Sequence, residues 1–137
     1  MFLNRKFRIG VLMVFFIMLP YFTEAQSTVC HIQNTERFLK NIHSPGEKTI
    51  DFQLSGLNDN VAVRGFIQKA SAAGQIHHVK VARLHKGQRK VTVTIDELGG
   101  LNSFRLMLMA ASVQTLTTPD KTFDVIHLSV KKYNPFE

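Results

Sequence analysis

From Thr49 the chain alternates. Ile50, Phe52 and Leu54 are apolar, and Asp51, Gln53 and Ser55 are polar. That two-residue period predicts a half-buried strand. Gly56 breaks it, and Asn58 or Asp59 can cap a helix, because a short side-chain oxygen accepts the first free backbone N–H groups. Val63, Phe66, Ile67 and Ala70 follow at i, i+3, i+4 and i+7, one face of a helix that Gly74 stops. Ile76 to Leu84 predicts a second strand, with Val79 and Val81 on one face. After a turn at Lys86-Gly87-Gln88, Val91, Val93 and Ile95 alternate with threonines, a third strand rich in β-branched residues. Strands joined by so short a link are antiparallel neighbours. Beyond Gly99-Gly100, residues Leu101, Phe104, Leu108 and Ala111 have helical spacing, and Leu106, Met107 and Met109 widen the apolar surface. Pro119-Asp120 signals a turn before a last strand over Phe123 to Val130. Gln114 to Thr117 leaves room for one short extra strand.

The resulting order, β-α-β-β-α-β, predicts an α+β protein of the ferredoxin-like kind. Its four-stranded antiparallel sheet would carry both helices on one face, with the first and third strands central. Upstream, residues 26–47 are polar and lack a strict period. Thr35 to Ile42 fits one or two helical turns, with Phe38, Leu39 and Ile42 on one side and Thr35 as a candidate cap. Ser44-Pro45-Gly46 ends that helix. This segment reads as an arm or linker. The expected organisation is a signal peptide at 1–25, the arm at 26–47, one domain at 48–132 and a tail at 133–137.

The signal peptide rests on a basic start (Arg5, Lys6, Arg8), an apolar run from Ile9 to Phe22 broken by Pro20, and Thr23-Glu24-Ala25 before the expected cut. The run is short of the ~20 residues of a spanning helix, so no stable membrane span is expected after cleavage. The predicted location is periplasmic or extracellular. The 137-residue chain carries a net charge of +7. Cleavage removes three cations and one anion and leaves +5. A mild basic excess favours anionic surfaces. Cys30 is the only cysteine, so no internal disulfide can form. Val29 precedes it where a lipobox needs a small residue, and an unreactive thiol in the arm is expected.

Three strings resemble heavy-metal-associated domains over residues 49–130. They are Leu54-Ser55-Gly56-Leu57, Ile76-His77-His78-Val79-Lys80-Val81, and Val91-Thr92-Val93-Thr94-Ile95-Asp96. The resemblance implies a ferredoxin-like fold and, in that family, a G-M-x-C-x-x-C loop that binds soft ions through two thiolates. Here Asp59 and Ala62 stand at the cysteine positions, so the loop cannot bind in that way. Leu57 takes the place of the family's packing methionine.

Other candidate ligands are Cys30, His31, His77 and His78. Neighbours on a strand point to opposite faces, so His77 and His78 cannot readily share an ion, and Cys30-His31 lacks recognised ligand spacing. No metal site and no cofactor are expected. Arg83, Lys86, Arg89 and Lys90 cluster around the turn between the second and third strands and are the candidate partner-binding residues. Nucleic acid is a poor partner for an exported protein whose sheet lacks paired aromatics for base stacking. No Ser-His-Asp spacing, phosphate loop or carboxylate pair supports catalysis. The expected function is a non-catalytic binding module for an unknown protein or an anionic cell-envelope component. A periplasmic metal-binding protein using Cys30 and histidines, or a peptidoglycan-binding module, are the alternatives.

Overall fold

In the computed structural model, which describes residues 28–128, six strands form one sheet in the order β3-β4-β2-β1-β5-β6. The expected signal peptide, its cleavage site and the tail lie outside those residues. The chain runs β1 (Thr28–His31), α1 (Thr35–Ile42), β2 (Lys48–Ser55), α2 (Asn60–Ser71), β3 (Ile76–Val81), β4 (Gln88–Ile95), α3 (Leu101–Ala110), β5 (Val113–Thr117) and β6 (Thr122–Asp124), followed by one 3-10 turn at Val125–His127.

The expected four-stranded antiparallel sheet with two helices is corrected to a six-stranded mixed sheet with three. The cause lies in the segment read as an arm. β1 enters the sheet and pairs antiparallel with β2, Cys30 opposite Leu54. That is the place a ferredoxin-like sheet reserves for its last strand. The strand after α3 is therefore displaced one position outward and pairs parallel with β1. Its core is Val113–Thr117, and the segment expected to form the last strand supplies only Thr122–Asp124 before turning into the 3-10 helix.

β2, α2, β4 and α3 form for the reasons legible in their periods. Ile50, Phe52 and Leu54 are buried while Thr49 and Asp51 are exposed. Asp59 caps α2 by accepting the Ala62 N–H at 2.7 Å, so the residue at a family cysteine position serves the backbone. Asn34, not Thr35, caps α1 through the Arg37 N–H at 3.0 Å. Between β3 and β4, Lys86 and Gly87 both have positive φ, the geometry of a two-residue hairpin turn that suits the twist of its strands.

The inward side chains of the strands meet all three helices in one core. Phe104 of α3 is its junction, with its ring centroid 5.0 Å from that of Phe38 on α1 and 5.3 Å from that of Phe52 on β2. Phe66 and Ala70 bring in α2. Gly99 sits so close to the Ile95 side chain that a Cβ would collide with it. The Gly99 carbonyl accepts a 2.5 Å hydrogen bond from the buried Lys48 ammonium. The helices thus cover one face of the sheet. Among the described residues, the other face carries mostly polar side chains, including Thr49, Asp51, Gln53, Thr92, Thr94 and Lys90.

Candidate functional site: a cleft where β1 leaves the sheet

The site begins with a mismatch in strand length. β1 pairs with β2 only from Ser55 back to Gln53, which lies opposite His31. The chain then holds to β5 for one more residue, through the Ile32 N–H to the Thr117 carbonyl at 2.8 Å. It turns at Gln33-Asn34 into α1. The lower part of β2 is left without a β1 neighbour, and α1 crosses beside it. The gap is a cleft of about 230 Å³.

Strand alternation and helix spacing supply its walls. Asp51 and Gln53 face it from β2, Lys90 from β4 and His31 from the end of β1, while Arg37 and Asn41 line it from α1 and Asn34 from that helix's cap. Lys90 and Gln53 are cross-strand partners, as are Asp51 and Thr92. The Thr92 hydroxyl donates to one Asp51 carboxylate oxygen at 2.8 Å, which fixes that side chain and leaves its second oxygen for another donor. Among the described residues the only ion pair is His77–Asp96. Among the described residues, Arg37 and Lys90 therefore line the cleft without a carboxylate in ion-pair contact. Burial lowers the His31 pKa from its ordinary value, so the ring is neutral near pH 7. The cleft then holds two cations and one anion, with amides between them.

The four cations around the β3–β4 turn are not gathered into one patch. Arg83 and Lys86 are exposed at the hairpin. Arg89 points the other way from Lys90, as adjacent strand residues must. Its guanidinium donates to the Leu57 carbonyl at 2.6 Å and to the Ala82 carbonyl at 3.3 Å, clamping the loop after β2. Lys90 alone reaches the cleft.

The metal candidates are also dispersed. Cys30 is fully buried in the central sheet, and burial pushes its thiol up from the ordinary value. It is a core residue, not an arm thiol. His31 lies on the opposite face, 3.0 Å through Nε2 from the Ser55 hydroxyl. This is a diagonal cross-strand contact, and among the described residues no carboxylate is hydrogen-bonded to the His31 ring. His77 is the extra residue where the β3–β4 register shifts. The bulge turns it toward Asp96, with Nε2 3.1 Å from a carboxylate oxygen, while His78 pairs with Thr94. Among the described residues no three His, Cys, Asp or Glu side chains come together as a metal site. Asp96 is held below the usual carboxylate range first by the Leu98 N–H, then by the His77 ring and the Lys48 charge. Nearby, Ser103 donates to the Gln75 side-chain oxygen and accepts the Gly100 N–H at 3.2 Å. This second polar cluster joins the start of α3 to the sheet.

Sequence reasoning reached Lys90 but missed Arg37, Asn34 and Asn41. The available signal was the polar side of the predicted 35–42 helix, where Arg37 and Asn41 are four residues apart. No family model matches the chain, and no curated protein or solved structure does either. No helix of the described residues is long and apolar enough to cross a membrane.

Proposed function

We propose that this protein is a non-catalytic binding module that holds an anionic group in the cleft between α1 and β2. The observation that carries the reading is the placement of Arg37 and Lys90. They arrive from two elements far apart in sequence, line one concave site, and lack an ion-pair partner among the described residues. Arg presents a planar fork to a carboxylate or phosphate, and Lys a mobile point charge. The amides of Asn41 and Gln53 add neutral donors that orient a bound acid. The basic, apolar N-terminal sequence supports a setting in the periplasm or outside the cell, where the acid belongs to an envelope component or an exported partner.

The test is calorimetric titration of the full chain with glutarate and with inorganic phosphate at low salt. Binding of one or both acids is expected, weakened at least tenfold in Arg37→Ala/Lys90→Ala and unchanged in Arg83→Ala/Lys86→Ala. If the hairpin pair weakens binding and the cleft pair does not, the site is wrongly placed. If neither acid binds and L-glutamate does not bind either, the reading fails.

A further inference from the structure

We infer that the cleft selects an amino-dicarboxylate, a group that carries an ammonium beside two carboxylates. The inference rests on the anion-binding reading above and adds the role of Asp51. A site built for a simple anion gains nothing from a carboxylate in its wall, because like charge repels the ligand. Here a carboxylate is not only present but oriented. Asp51 lies two residues from Gln53 on the outward face of β2, and the Thr92 hydroxyl holds one of its oxygens at 2.8 Å. The other oxygen is left to accept from a ligand N–H.

Charge sets the ligand class. Arg37 and Lys90 supply two positive charges, Asp51 one negative, and His31 none near neutral pH. The complement is a ligand with two negative charges and one positive. Acidic amino acids have that pattern, and so does a γ-glutamyl dipeptide, whose second carboxylate is the terminal one of the neighbouring residue. Size agrees. The volume, about 230 Å³, lies below the ~300–1,000 Å³ of pockets for drug-sized ligands. It suits one amino-acid-sized group. Arg37 would take one carboxylate, Lys90 the other and Asp51 the ammonium. Discrimination arises because an analogue lacking the ammonium leaves Asp51 facing two carboxylates with no cation between them.

The test titrates the full chain with L-glutamate, N-acetyl-L-glutamate, glutarate and γ-L-glutamylglycine. Glutamate or the dipeptide is expected to bind at least tenfold more tightly than glutarate and the acetylated acid. Tighter binding of glutamate identifies a free amino acid, and tighter binding of the dipeptide identifies a γ-linked dipeptide. Asp51→Asn keeps an acceptor for Thr92 but removes the charge. It should bring all four ligands within about twofold of one another. If glutarate binds through Arg37 and Lys90 as tightly as glutamate, the inference is overturned while the anion site stands. If no ligand responds to Arg37→Ala/Lys90→Ala, both are overturned.

Discussion

Replacing Phe38 by alanine tests whether the segment before β2 belongs to the folded unit. Phe38 is 4% exposed and its ring packs against Phe104, the residue that joins α1, α3 and β2. Truncating a buried Phe to Ala costs about 3–5 kcal/mol, from lost transfer energy and the cavity left behind. The aromatic pair supplies roughly 0.5–1.5 kcal/mol of this beyond area alone. For a domain near this size, each kcal/mol lowers the melting temperature by about 4–8 °C, so a fall of about 12 °C or more is expected. Urea unfolding followed by circular dichroism should show a lower midpoint with an unchanged slope, the sign of lost stability without a change in the unfolding transition. Lys40→Ala, on the exposed side of the same helix, is the control and should stay within about 0.5 kcal/mol. A loss for Phe38→Ala no larger than for Lys40→Ala would mean that α1 is an arm after all, and that the cleft has no fixed wall.

Three further outcomes follow from individual contacts. Arg89→Ala should cost about 1–2 kcal/mol in urea unfolding, because it leaves the Leu57 carbonyl without a charged donor, whereas Arg83→Ala should cost under about 0.5; equal effects would contradict the clamp. Asp96 has a depressed folded-state pKa, so its contribution is present above the unfolded value near 3.8 and is lost as pH falls through the lower folded value. The stability gap between wild type and Asp96→Asn should therefore be constant at neutral pH and close below about pH 4, and a gap unchanged down to pH 2 would be inconsistent with it. Cys30 should resist a thiol reagent such as dithionitrobenzoate in the native protein and react fully in denaturant; fast native labelling would place the thiol outside the sheet.

What the sequence made legible follows from how each element meets the core. β2, α2, β4 and α3 each bury one face without irregularity, so their apolar periods survive intact. β3 and β5 do not. A bulge at His77 brings Ile76 and Val79 to the same face, and the register shift around Gln114 does the same for Val113 and Leu116. Inward residues three apart mimic neither strand alternation nor a sustained helix. β1 is four residues long, too short for a period, with only Cys30 and Ile32 marking its inward side. That omission changed the fold, because inserting one strand moves the C-terminal strand outward and alters the sheet from antiparallel to mixed. It also hid the cleft, which exists only because β1 ends before β2 does. Lys90 stood out as one of a run of cations, but alternation separates it from Arg89, and nothing local to either segment connects it with Arg37. The loop with Asp59 in a cysteine position illustrates the converse. Its local chemistry, a strand exit and a helix cap, was readable without knowing what surrounds it.

The most direct measurement is an amide-resolved NMR titration of the full chain with L-glutamate. Binding in the cleft requires shifts at His31, Arg37, Asp51, Gln53 and Lys90, saturating together with one dissociation constant and fading as salt rises. Shifts confined to the Arg83–Lys86 hairpin, or no saturable shifts at all, would contradict the assignment of the cleft as the binding site.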